Sequence, residues 1–452
     1  MTVRALVGLL ALNGAFLLVG IAILWGLRGF RSWDEPVRLG GVAYLLGVAS
    51  FGTLWTTLLV LGLPFGGAAI VVSLVAVAAT GVIGARLAGR GLPRGWRSGR
   101  AGPVLLVSAA GLALTGLLLE SWFRAARLQS LQAYDAWAFW VPKAKAIFFY
   151  GELDEQVFTT APGPSYPPLV PILDAAAFHA MGGADTITFH VQFWFLVVGG
   201  VAAIVGCLHA RVPAWLLWPP ILLVLVVPRF QENLLAPQAD VLVDLLFVAA
   251  ALLTGLWLRE GGSWRIASAA LLLAGAALTK REGLVFACAV LVVAFAVGRA
   301  RRGAWWQLAG AAAFVAVAVL PWRLWYGSRA ISADAPAVDG GGADRLRKAL
   351  ELSLEVLFDN GLWSVAPIVA LIALLAGAVW GDRRLTAFFG VVLGLAFLGG
   401  EWVTYGYTEL PLIADEAVNP IVRYTGALVL LGGASTPLLL STVWRDVSEC
   451  ER

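Results

Sequence analysis

The sequence predicts an all-α polytopic membrane protein, a bundle of about thirteen transmembrane helices with further helices lying at the extracytoplasmic surface. Three observations carry this. Hydrophobic residues make up 60% of the 452 and charged residues only 13%, against about 45–50% and about 25% in soluble domains. The apolar residues fall into runs of roughly 20, the length that crosses a hydrocarbon layer about 30 Å thick as a helix. Arginine gathers on alternate connections between the runs, which fixes one cytoplasmic face.

Spans are expected near 3–27, 38–62, 66–88, 103–124, 187–209, 214–230, 238–258, 265–279, 283–298, 305–325, 362–380, 385–403 and 421–442. The first is too long, and too poor in a small-residue cleavage site, for a removable signal peptide, and is expected to stay as an anchor. Arg28, Arg31 and Arg38 mark the first cytoplasmic connection, and Arg86, Arg90, Arg94, Arg97 and Arg100 the second. Arg211, Arg259, Arg265, Arg299, Arg301, Arg302, Arg383 and Arg384 mark the later ones. The N-terminus is then outside and the tail, 443–452, inside. The opposite face receives the long loops 125–186, 326–361 and 401–420, and with them all the lysines: Lys143, Lys145, Lys280 and Lys348.

The pair 265–279 and 283–298 is short. At 1.5 Å per residue a 15-residue helix covers about 22 Å, so the tip Thr279-Lys280-Arg281-Glu282-Gly283 is expected to stop below the outer surface. Two cations and a carboxylate then lie at membrane depth. A tight turn with snorkelling side chains fits this, and so does a site for an anionic lipid headgroup. In the outer loops, 344–358 spaces Leu346, Leu350, Leu354, Leu357 and Phe358 as a helix lying in the interface. A second helix is expected at 142–150, with Pro142 in its first turn.

The net charge of +4 comes from arginines in short connections, which reads as topology and gives no support to nucleic-acid binding. Cys207, Cys288 and Cys450 are scattered, and His179, His190 and His209 have no ligand spacing. Neither a disulfide framework nor a zinc centre follows.

Chemistry concentrates in four places. Tyr134-Asp135-Ala136-Trp137-Ala138-Phe139-Trp140-Val141-Pro142-Lys143 sets one acid among aromatic rings beside the fourth span. It reads either as an aromatic-belt segment with an incidental Asp or as a partly desolvated base beside a platform for a sugar or an isoprenoid. Ser165-Tyr166-Pro167-Pro168-Leu169-Val170-Pro171 is expected to be stiff and extended. Asp240 and Asp244 share one face at the outer end of the seventh span, with Asp244 a turn deeper. Arg423 and Tyr424 open the last span, where Arg423 either snorkels or turns inward toward a phosphate.

Together these pieces resemble the C-type (GT-C) glycosyltransferases, in the branch of protein O-mannosyltransferases, the lipid A aminoarabinose transferase and the lipopolysaccharide-core galacturonosyltransferases. The resemblance covers about 103–442 and rests on Asp135, Tyr166 to Leu169, Asp240, Thr279 to Gly283, and Arg423 with Tyr424. Relatives often carry a paired acid where Ala136 follows Asp135 here. The resemblance makes residues 1–100 additional N-terminal helices and 101–442 the catalytic module.

The resemblance implies an inverting glycosyltransferase of the inner (plasma) membrane, working on its extracytoplasmic side. It would move a sugar from a polyprenyl-phosphate donor to a hydroxyl of a glycan, lipid or protein. Asp135 is then the general base, while Lys280, Arg281, Arg423 and Tyr424 hold the donor phosphate. Tyr134, Trp137, Trp140, Lys143, Tyr166, Asp240 and Glu282 line the cavity. Metal dependence stays open, with Asp135 and Asp240 as the candidate ligands for Mg or Mn. An oligosaccharide ligase or polymerase using a lipid-pyrophosphate donor would share the outer loops and cations. A transporter or flippase would need paired repeats, and only one short hairpin is present.

Overall fold

The computed structural model describes residues 2–96, 103–298, 303–329, 342–402 and 420–450. Of the described residues 82% are helical, and none lies in a strand. It opens with α1 (Val3–Arg28), whose first turn is capped by the Thr2 hydroxyl accepting from the Ala5 N–H. The short α2 (Asp34–Arg38) leads into α3 (Gly40–Val60), α4 (Gly67–Leu87) and α5 (Pro103–Ala126). After α5 come a π-helical turn, Ala136–Trp140, and the helices α6 (Val141–Tyr150), α7 (Glu155–Thr160) and α8 (Leu169–Met181). Helices α9 (His190–Leu208), α10 (Ala214–Leu225), α11 (Pro228–Leu235), α12 (Ala239–Glu260), α13 (Ser263–Thr279), α14 (Arg281–Gly298) and α15 (Ala304–Gly327) follow. The chain continues through α16 (Gly342–Leu357), α17 (Asn360–Trp363), α18 (Ala366–Trp380), α19 (Arg383–Glu401) and α20 (Pro420–Cys450).

Ten of these are long and apolar enough to cross a membrane: α1, α3, α4, α5, α9, α12, α14, α15, α19 and α20. The expected spans 214–230, 265–279 and 362–380 coincide with shorter apolar helices, α10, α13 and α18. Pro219 and Pro220 lie inside α10, and Pro228 starts a separate helix at its first position, so 214–230 is two pieces.

Helix α12 is buried along most of its length and forms the centre of the bundle. Around it, α1 and α3 approach until their backbones touch. A Cβ on Gly20 would come within 1.6 Å of the Ala43 carbonyl oxygen, and one on Gly47 within 1.9 Å of that of Phe16. A buried polar set joins both to α9: Asn13 donates to Gln192 Oε1 at 2.7 Å, and Tyr44 donates to Asn13 Oδ1 at 2.5 Å. Hydrocarbon offers such groups no other partner, so the set fixes how these helices pack.

The charged residues collect at two ends. Arg28, Arg38, Arg211 and Arg265 meet at one, and Asp135, Asp240, Lys280, Arg281 and Arg423 at the other. Arg97, Arg100, Arg299, Arg301 and Arg302, and the parts of the expected outer loops at 330–341 and 403–419, lie outside the described residues, as do 451–452 of the tail.

Two expectations need correction. The proline-rich stretch is not extended throughout, because α8 begins directly after Pro168 and holds Pro171 in its first turn, where the missing N–H donor breaks no intrahelical hydrogen bond. The tip between α13 and α14 is tighter than the five residues expected, for only Lys280 lies between them and Arg281 starts α14. A helix does occupy the stretch expected at 344–358: α16 turns Ala349 and Ser353 to the bundle and leaves Leu354 and, just past its end, Phe358 exposed.

Candidate functional site

Lys280 is the hinge of the site. Its extended backbone (φ −153°, ψ 160°) ends α13 and reverses the chain into α14. Its side chain is buried and reaches Asp240 in the first turn of α12, with Nζ 2.7 Å from Oδ1, and Glu282 Oε1 at 3.3 Å. Asp240 and Asp244 are both buried, as an i, i+4 pair on one face requires. Asp244 lies one turn further in, against Gly426 of α20, where an added Cβ would stand 3.3 Å from its Oδ2.

Arg423, in the first turn of α20, points inward. Its Nη1 donates to Asp135 Oδ2 at 2.6 Å, and its Nη2 approaches Gln238 Oε1 at 3.4 Å. Asp135 is 7% exposed and stands immediately before the π-helical turn. Such turns are uncommon and concentrate at functional sites. Arg281 donates to Ser165 Oγ and carries its guanidinium over the Tyr166 ring, 5.2 Å from the centroid. Tyr166 also packs on Trp140, with ring centroids 5.4 Å apart. Burial raises the pKa of the Tyr166 hydroxyl above its ordinary value, so that it remains protonated.

The structure therefore gathers Asp135, Tyr166, Asp240, Lys280, Arg281, Glu282 and Arg423 from five separate segments. It leaves out others expected there. Tyr134 and Trp137 are exposed and pack edge to face on each other, 5.1 Å apart. Tyr424 holds helices together: its hydroxyl donates to Glu401 of α19 and shares a hydrogen bond of 2.9 Å with Ser353 of α16. Successive helical residues diverge by about 100°, which separates Tyr424 from Arg423. Gln238, beside Arg423, is a participant that the sequence did not single out, and so are Ser353 and Glu401, which hold Tyr424 away from the site. Gln238 directly precedes the Ala239-Asp240 start, and Glu401 is a lone acid closing an apolar run.

Lys143 is fully buried in the short helix α6, where Nζ donates to the Gly163 carbonyl at 2.6 Å and lies 5.7 Å from the Phe158 ring centroid. It supports the loop that presents Ser165 and Tyr166. Burial, and then the nearby Arg281, lower its pKa to about 7 from an ordinary 10.5. The sign of the effect on stability follows. Below about 7 the folded protein carries the cost of a buried ammonium; above it the folded amine sheds its proton while the unfolded one keeps it up to 10.5, so stability rises with pH across that interval. Lys143→Met is expected to flatten this rise in the thermal unfolding midpoint of purified protein between pH about 7 and about 10. An unchanged slope would disprove the assignment.

Asp135 and Asp240 each contact a cationic side chain, and no cluster of three His, Cys, Asp or Glu side chains suited to a metal occurs among the described residues. A divalent ion binding these acids would compete with Arg423 and Lys280. The site is a chain of ion pairs: a carboxylate able to accept a proton, with cations able to hold an anion directly beside it. Comparison with protein-family models, with curated proteins and with solved structures finds no match for this chain.

Proposed function

We propose that the protein is an inverting glycosyltransferase that moves a sugar from a polyprenyl-phosphate donor to an acceptor hydroxyl on the extracytoplasmic side of the plasma membrane. The observation that carries this reading is the contact of Asp135 with Arg423 at the same end of the bundle as Lys280 and Arg281. A base for the hydroxyl proton and cations for a departing phosphate are the two requirements of the reaction, and here they adjoin. The acceptor oxygen attacks the anomeric carbon from the face opposite the phosphate, its proton passes to Asp135, and the bond from sugar carbon to phosphate oxygen breaks. Cations beside the leaving oxygen stabilise the charge that grows on it.

The bundle also has an apolar groove of about 680 Å³. Leu354 of α16, Phe358 just after it, Leu374 of α18, Phe397 of α19 and Leu428 of α20 line it. Leu428 lies five residues, about 7.5 Å, further along α20 than Arg423 and about 140° round the helix, so the groove runs on another face of α20 from the cations.

The pairing of Asp135 with Arg423 gives the reaction an order. While the two are joined, Arg423 is not available to a phosphate and the carboxylate is partly taken. A donor phosphate that draws Arg423 to itself frees Asp135 for the acceptor. Under this reading α10, α13 and α18 complete thirteen spans in a GT-C-like bundle, and the arginine-rich end faces the cytoplasm.

The test is transfer of radiolabelled sugar from a panel of polyprenyl-phosphate sugars by purified protein in nanodiscs. Turnover with at least one member, with inverted configuration in the product, is expected. Transfer from pyrophosphate-linked donors alone would replace this reading with a ligase or polymerase.

A further inference from the structure

At the end of the bundle opposite Lys280, four arginines from separate segments turn inward around a recess of about 390 Å³. They are Arg28 at the end of α1, Arg38 at the end of α2, Arg211 after α9 and Arg265 in the first turn of α13. Arginines that only mark a membrane side extend into water. Here the side chains of Arg28, Arg211 and Arg265 are 17%, 19% and 11% exposed.

The fold holds them in place. Gly206 on α9 lies so close to the Arg38 carbonyl oxygen that a Cβ would come within 2.1 Å, which brings α9 against the corner carrying Arg38. Trp264 lies between two guanidiniums, 5.0 Å from that of Arg28 and 5.1 Å from that of Arg265.

The charge is left unbalanced. Arg28 pairs with Glu35 at 2.9 Å, and Glu260 is shared between Arg211 and Arg265. Four cations therefore meet two carboxylates, and no acidic residue is among those lining the recess. Arg38 has no ion-pair partner among the described residues, and the Nε atoms of Arg38 and Arg265 are buried without an acceptor. A buried donor without a partner is costly, and planar guanidiniums suit an oxyanion that accepts several hydrogen bonds at once.

We infer that this recess binds a phosphate group, either on the headgroup of an anionic lipid or free in solution. The recess is smaller than the clefts that take drug-sized ligands, which suits a headgroup-sized anion. The inference stands on this end of the molecule alone and does not depend on the chemistry at the other.

Purified full-length protein in phosphatidylcholine nanodiscs is titrated with inorganic phosphate, and in a parallel series reconstituted with increasing phosphatidylglycerol, with the thermal unfolding midpoint read in both. A saturable rise is expected in at least one series. Phosphate alone identifies a free anion, phosphatidylglycerol alone a lipid headgroup, and both the shared chemistry. Arg38→Gln, which disturbs none of the described ion pairs, should weaken the effect about tenfold or more, the loss expected for a charged hydrogen bond. Arg94→Gln removes an exposed arginine near the same end and should leave it unchanged. No saturable rise in either series, or equal weakening by the two variants, would overturn the inference.

Discussion

Asp135→Asn is expected to reduce sugar transfer by about 10²–10⁴-fold, the contribution of a positioned general base. Asparagine keeps the shape and can still accept the hydrogen bond that Arg423 Nη1 gives Oδ2 at 2.6 Å, so the local fold has little reason to change. It has no charge and cannot take the acceptor's proton. Losing the carboxylate also removes the anion that competes with a donor phosphate for Arg423. Donor affinity should therefore be retained or increased while turnover falls, a split that simple misfolding does not produce. Initial rates and binding of a radiolabelled donor, both on monodisperse protein, measure the two halves. A ligase with no base at this position would keep its turnover, and full activity in Asp135→Asn would sink the assignment.

The parts of this arrangement that depend on chain-local physics were readable from the residues. Apolar length and composition located the helices, since hydrocarbon forces backbone groups to pair within a segment. The carboxylate of Asp240 at the start of α12 and the basic turn at Lys280 stood out because charge in an apolar stretch is costly to keep. What the residues did not give was contact. Asp135 and Arg423 are 288 positions apart, and nothing local to either distinguishes an inward guanidinium from a snorkelling one. Helix α8 was hidden for another reason: its 13 residues are too few for a span, and the prolines beside it read as a stiff loop until the backbone shows them at a helix start. Tyr424 misled by its position next to Arg423, for the hydroxyl's partners Ser353 and Glu401 come from two other helices, 71 and 23 positions away.

Lys280→Ala should have the largest effect on stability, and a double variant separates that effect from function. Lys280 and Asp240 are both buried and 2.7 Å apart, and removing one partner leaves an uncompensated charge in a medium of low dielectric. The expected cost is about 3–5 kcal/mol, seen as a large fall in the thermal unfolding midpoint. A loss of donor binding in this variant alone would be ambiguous, because a loosened hinge between α13 and α14 would also displace Arg281. Lys280→Met combined with Asp240→Asn removes both charges and keeps similar volumes, so most of the lost stability should return, as it does when buried pairs are replaced together. If Lys280 also holds the donor phosphate, the double variant should bind donor about tenfold or more weakly despite its restored fold, the loss of one charged hydrogen bond. Recovery of both stability and donor affinity would make Lys280 a structural partner of Asp240 alone and leave the phosphate to Arg281 and Arg423. Failure of the double variant to regain stability would show that the hinge depends on more than its charge balance.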